Sequence, residues 1–350
     1  MRFRRSLALL LVLPLCLACA FVRAGHAAAP PDSLAELRRM VAQWRPNDPA
    51  LLGLAERVVA QRQSVRGAKP ADVADAIEWL GRVQFNRVDY IAADSLFERA
   101  VALRRSERKP EPLALASTLA LQAESQRVTK HLARAESTAT QVVAMIESQA
   151  LRDTALMIRV QHTLGNVLAE RGQPVRAVQA LAVAVRLGES RAHPDSVLLG
   201  QSHRFLARAL SVAGDLRGAR ASYARAAVIQ AAALGPDHPE LATTLLLDAM
   251  AASSEGEYVA QRRLAERALA IREKTFGPDH PIIAITLSTL GGALRNLGDI
   301  DGALPLYERA VAIQRASKRG GPFDLALALN NLGSALIVAG DGARARTYLE

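Results

Sequence analysis

The sequence predicts an all-α fold, a solenoid built from antiparallel helix pairs. Three observations lead there. The chain repeats itself every 42 residues, its apolar content is Ala, Leu and Val rather than aromatic, and glycine and proline punctuate it at a fixed interval. Half of the 350 residues are hydrophobic but only 4% are aromatic. Ala and Leu lose little on entering a helix, whereas aromatic and β-branched side chains lose rotamer freedom against the preceding turn. Charge is dispersed rather than blocked, so the chain is too apolar for disorder and able to bury a core.

Taken in order, the N-terminus reads as an export signal (residues 1–27). Residues 1–5 are basic, 6–22 are apolar, and small residues follow at Ala24, Ala27, Ala28 and Ala29. Cleavage after Ala27 is expected, because a later cut runs into Pro30. Retention of this segment as a membrane anchor is the competing reading, but the apolar run is short for a span and holds Pro14. Both cysteines, Cys16 and Cys19, fall inside the signal. The mature chain then has no thiol for a disulfide, a metal–thiolate site or a nucleophile. Leu17-Ala18-Cys19 also permits lipidation at Cys19, although Cys16 stands where such sites usually carry Leu.

These readings place the mature protein in the periplasm or outside the cell. Membrane attachment follows only if the segment is retained or Cys19 is lipidated. Arg2, Arg4, Arg5 and Arg23 leave with the signal, lowering the formal charge from +10 to about +6, a balance that suits acidic partners. Nucleic acid is not expected as a partner: there is no basic run with interleaved aromatics, no zinc spacing and no reading helix.

The repeat is visible in several series at once. Pro236-Asp237-His238-Pro239 returns as Pro278-Asp279-His280-Pro281, 42 residues on, and Pro194-Asp195 precedes both by the same step. One position reads Gly81, Ala123, Gly165, Ala207, Ala249, Gly291, Gly333, and every member is small. Twelve residues later the series is Ala93, Ala135, Ala177, Ala219, Gln261, Ala303, Ala345. Another gives Gly172, Gly214, Gly256, Gly298 and Gly340. The array spans 68–350 without insertion and stops partway through a second helix, so its last repeat is expected to be incomplete. Its first two repeats, 68–109 and 110–151, are eroded: Val88 and Lys130 replace the expected Gly, and Gln122 replaces a core Leu. Residues 28–67 form an N-terminal helical cap or a degenerate repeat, since Glu56-Arg57 before Val59 mirrors Glu98-Arg99 before Val101.

One repeat, 278–319, shows the physics. Residues 281–297 place Ala284, Leu287, Leu290, Gly291 and Leu294 on one helical face. Gly298-Asp299 ends that helix, glycine tolerating the left-handed conformation there. A second helix buries Ala303, Leu306, Tyr307, Ala310 and Ile313. Two helices approach closely only where side chains are small, so Gly291 is expected to face the Ala303 position. Gly277-Pro278 or Gly321-Pro322 ends a repeat, and Asp279 or His280 caps the next helix.

The strings Phe276-Gly-Pro-Asp-His-Pro281, Glu266-Arg-Ala-Leu-Ala-Ile-Arg-Glu-Lys-Thr275 and Leu329-Asn-Asn-Leu-Gly333 resemble the tetratricopeptide repeat, in the longer form found in kinesin light chains and many bacterial proteins. The resemblance covers 68–350 and implies a right-handed superhelix whose concave groove, lined by the first helix of each repeat, binds protein or peptide. Paired asparagines that hold a peptide backbone in kinesin light chains occur here only at Asn330 and Asn331; Ser288 and Thr289, or Leu246 and Leu247, stand elsewhere.

Catalytic chemistry is not written in the chain. It lacks Gly-x-Ser-x-Gly, His-Glu-x-x-His, the phosphate-cradling loop and Gly-x-Gly-x-x-Gly, and no cofactor is expected. His238 and His280 lie one repeat apart, too far to share a metal ion, and read as capping residues. Asp248 stands where Leu206, Leu290 and Leu332 stand and faces the core. The candidate groove residues are Arg159, His162, Asn166, Arg204, Arg208 and Arg295, basic in the middle and followed by an apolar stretch near Leu246 and Met250. Arg204 and Arg208, one turn apart, suit an acidic segment or a C-terminal carboxylate. The expected function is a non-enzymatic interaction scaffold of the bacterial cell envelope that binds a partner in the concave groove; a structural envelope protein that self-associates through the open C-terminal end is a rival reading. The alternative is the sensor or docking portion of a larger enzyme, a caspase-like protease or kinase fusion.

Overall fold

The computed structural model describes residues 33–42, 49–191, 195–317 and 322–349. The export signal, its cleavage point, Cys16, Cys19 and Gly321 lie outside the described residues. Among those described, every regular element is a helix. They form two compact units, 1–130 and 131–350.

The first unit holds α1 (Ser33–Ala42), α2 (Pro49–Ser64), α3 (Pro70–Asn86), α4 (Tyr90–Arg105) and α5 (Pro112–Val128). Leu37 of α1 and Leu51, Leu54 and Val58 of α2 share one core with Ala74, Ile77 and Leu80 of α3. The second unit holds α6 (Leu132–Ser148), α7 (Thr154–Glu170), α8 (Pro174–Glu189), α9 (Ser196–Ala213) and α10 (Leu216–Leu234). It continues with α11 (Pro239–Ser254), α12 (Tyr258–Phe276), α13 (Pro281–Asn296), α14 (Ile300–Ala316), α15 (Pro322–Val338) and α16 (Gly342–Leu349). Within each repeat a short turn folds the second helix back along the first, and first helices of successive repeats α7, α9, α11, α13 and α15 neighbour one another.

Helix starts follow from the residues placed there. Asp89, Asp153, Asp195, Asp215, Asp299 and Asp341 each accept a hydrogen bond from the backbone N–H three residues on. His238 and His280 cap α11 and α13, Nδ1 accepting from the N–H of Glu240 and Ile282 at 3.2 Å. Proline occupies the first turn beside both histidines, where its missing N–H costs nothing.

Helix ends are set by the repeat rather than by the residue. Val88, Lys130, Gly172, Gly214, Gly256, Gly298 and Gly340 all adopt a positive φ, between 65° and 87°. The turn between paired helices needs a left-handed residue at this place. Glycine supplies it without strain, whereas Val88 and Lys130 adopt it against the preference of any residue with a Cβ.

The small position works differently from the sequence expectation. Gly291 faces Tyr307, not Ala303: a Cβ at Gly291 would lie 3.0 Å from the Tyr307 ring. The same register brings Phe97 to 2.7 Å of a Cβ at Gly81, Leu181 to 2.4 Å at Gly165 and Leu349 to 2.6 Å at Gly333. The small residue thus admits the large side chain sixteen positions later. Ala303 instead packs with Tyr307, Ala328 and Leu332 against the next repeat.

Candidate functional site

The first-helix face of the second unit carries the residues singled out above. Arg159, His162 and Asn166 lie on α7, Arg204 and Arg208 on α9, and Arg295 on α13. The structure draws the first five together. Arg208 Nη2 donates to Asn166 Oδ1 at 2.8 Å, across a full repeat. Arg204 lies over the ring of Phe205, 4.9 Å from its centre, and Phe205 meets the His162 ring edge-on at 5.0 Å. Arg295 stands apart, donating to Asn296 Oδ1 at 3.4 Å.

Not all of these side chains are open to a ligand. His162 and Asn166 are each only 6% exposed. Arg204 already meets a carboxylate within the chain, Glu240 at 3.2 Å. Arg159 and Arg208 are exposed, and Arg159 makes no ion pair among the described residues.

His162 finds its partner on α9. In three other repeats a polar residue near the end of the second helix reaches a hydroxyl fourteen residues on: Arg104 to Thr118 at 2.8 Å, Gln230 to Thr244 and Arg272 to Thr286 at 2.7 Å. At the corresponding place Gly188 has no side chain, and His162 Nε2 meets Ser202 Oγ instead, at 2.7 Å. Burial, then the positive fields of Arg204 and Arg159, push the imidazole down to about 3, so it is neutral at physiological pH.

Asp248 also turns out to have a partner. It is buried where other repeats place Leu, 3.3 Å from Arg220, which reaches Glu255 at 3.1 Å. Burial raises its pKa, and the Arg220 charge opposes that rise. The ion pair spans α10 and α11.

A second set of residues escaped the sequence reading. In the first unit Arg82, Phe85 and Asn86 of α3, Phe97 of α4, and Leu121 and Glu124 of α5 line a cavity of about 150 Å³. The signal was available: Arg82 and Glu124 stand three and two repeat steps before Arg208, and Phe85 stands five before Arg295. Erosion of these N-terminal repeats hid it.

Among the described residues no helix is long and apolar enough to cross a membrane, and no cluster of three or more His, Cys, Asp or Glu is placed to hold a metal ion.

Sequence profiles described as tetratricopeptide repeat match residues 205–240 and 249–316. No curated protein matches the sequence by similarity. Among solved structures, BtubC (BKLC) from P. vanneervenii is 22% identical, covering 62% of this chain and 88% of its own, with a TM-score of 0.56. A kinesin light chain protein of nearly identical TPR-like repeats from Podosopora anserina is 26% identical over 57% of this chain and 94% of its own, with a TM-score of 0.50. A Rap protein complexed with Competence and Sporulation Factor is 13% identical, covering 96% of this chain and 92% of its own, with a TM-score of 0.58. The chain is therefore an all-helical repeat protein. Residues 205–240 and 249–316 are tetratricopeptide repeats, and the stack is similar to repeat structures of the kinesin-light-chain-like type.

Proposed function

We propose that this chain is a non-enzymatic protein-interaction scaffold of the bacterial cell envelope, and that the first-helix face of its second unit holds an acidic segment or a free C-terminal carboxylate of a partner protein. The observation that carries the reading is the concentration of positive charge on that face. Arg159 and Arg208 are exposed there, and the fields of Arg159 and Arg204 help keep His162 neutral. Guanidinium groups pair carboxylates with directional bonds, and a partly enclosed face screens that pairing less than open surface does. Asn166 orients Arg208, Glu240 and Phe205 fix Arg204, and Arg295 extends the positive face two repeats further along. The Rap protein of similar fold, complexed with Competence and Sporulation Factor, supports the idea that such a stack accepts a separate partner.

The test is fluorescence anisotropy with a labelled glutamate-rich peptide ending in a free carboxylate, beside its glutamine counterpart. Binding of the acidic peptide that weakens with salt, and is lost in Arg159→Glu with Arg208→Glu at unchanged helicity, is the expected result. Equal binding of both peptides, or full retention by the double variant, refutes the acidic preference.

Two further parts of the reading are tested separately. Export predicts a mature chain beginning at Ala28, which N-terminal sequencing of the native protein checks; an intact Met1 on soluble cytoplasmic protein contradicts it. Self-association is proposed through α15 and α16, where Phe323, Ile337 and Val338 are exposed. Sedimentation should show a concentration-dependent dimer that Ile337→Glu with Val338→Glu abolishes, and a monomer at every concentration contradicts it.

A further inference from the structure

The cavity in the first unit is built for a different ligand group from the arginine face. Its floor is the ring of Phe97, which lies against α3 because Gly81 has no side chain there. Its walls are Leu121 of α5 and Phe85 of α3, whose ring is fixed edge-on against Tyr90 at 5.0 Å. The charged residues at the cavity are already neutralised within the chain. Arg82 pairs with Glu78 at 2.9 Å and lies over Trp79, and Glu124 pairs with Arg127 at 2.6 Å. Asn86, also lining the cavity, has a side-chain amide that makes no hydrogen bond of its own among the described residues.

We infer that this cavity receives one uncharged side chain, leucine or phenylalanine, of an extended partner segment, with the Asn86 amide hydrogen-bonded to the main chain beside it. Size supports this, since an apolar protein cavity of about the same volume takes up benzene. Charge supports it as well. A carboxylate or ammonium entering here loses hydration and finds Arg82 and Glu124 balanced against each other and against their own partners, so an ionic group is disfavoured and an apolar one is not. The inference rests on the scaffold reading in taking a protein as ligand, but it shares no residue with the arginine face, so either can fail alone.

The probes are N-acetyl-phenylalaninamide and N-acetyl-leucinamide, with N-acetyl-alaninamide and N-acetyl-aspartate as controls, studied with the full chain by saturation-transfer NMR. Transfer to the phenyl and isobutyl protons is expected, with little to either control. Leu121→Trp, which fills the cavity, should reduce the transfer at least tenfold, whereas Arg159→Glu with Arg208→Glu should leave it unchanged. Absence of transfer from the phenylalanine probe overturns the inference, as does undiminished transfer in a helical Leu121→Trp protein or stronger transfer to the aspartate probe. Should Leu121→Trp lose helicity, the Leu121 methyl resonances of the unmodified protein decide. They should move on addition of the phenylalanine probe, and fixed resonances overturn the inference equally.

Discussion

Val88→Gly should stabilise the protein, although it removes a side chain. Val88 occupies the left-handed turn after α3 with φ of 71°, and its side chain is 67% exposed, so the change removes little packing. A residue with a Cβ pays about 1–2 kcal/mol to sit there. Glycine returns part of that gain, about 0.5–1 kcal/mol, through its freedom in the unfolded chain. The net expectation is about 0.5–1 kcal/mol of stabilisation, and Lys130→Gly, at φ of 65°, should behave alike. The reverse change, Gly298→Val, places a Cβ with no atom within 4 Å, so its net cost of about 0.5–1 kcal/mol is one of backbone alone. Because repeat arrays need not unfold as one unit, the assay is hydrogen exchange of amides flanking each turn, beside urea denaturation followed by circular dichroism. Slower exchange at the end of α3 in Val88→Gly and faster exchange at the end of α13 in Gly298→Val are expected. Destabilisation by Val88→Gly would refute the claim that the turn imposes the left-handed geometry regardless of residue.

Gly291→Leu should cost about 1–3 kcal/mol by driving Tyr307 from its place, and Tyr307→Ala should relieve much of that cost; a neutral Gly291→Leu in a melting experiment contradicts the packing. Asp248 has a raised folded pKa, so its favourable contribution is complete below the ordinary carboxylate pKa and is lost as pH rises through the folded value. Asp248→Leu should therefore raise the urea midpoint at pH 7, by an amount that shrinks toward pH 4; no gain at pH 7 opposes this. His162 has the opposite sign for a base, its folded pKa being depressed to about 3, so its contribution is present above pH 6.5 and erodes as pH falls toward 3. Over that interval the loss approaches about 1.4 kcal/mol per pH unit, and His162→Asn should remove that part of the acid sensitivity measured by denaturation between pH 7 and 5.

Most of the fold was legible because the 42-residue step ties distant residues to one geometric role. Asp299, His280 and the Gly172-to-Gly340 series announce starts and ends that the structure places accordingly. Legibility failed where a role is shared between residues of different type. Gly291 has a small residue, Ala303, in sequence register with it, yet the space it leaves is filled by Tyr307; sequence spacing states that room exists, not which side chain enters it. His162 has the position of a groove residue, but its ring is buried against Ser202 of the next first helix, a pairing that sequence spacing does not announce. The pairing of Arg204 with Glu240 is not legible in sequence, because it spans two helices and depends on side-chain reach. The cavity at Phe85 and Leu121 was hidden by the unequal residues that occupy its register in each repeat.

Site-specific photo-crosslinking in the native host tests the central claim most directly, with benzoylphenylalanine placed at Arg159 or Met250 on first helices and at Val259, exposed on α12, as control. The account predicts crosslinks to a second polypeptide from position 159, their efficiency reduced by Arg208→Glu, with none from position 259. Crosslinks from position 259 but not from 159 or 250 would contradict it, since the partner would then dock away from the first-helix face.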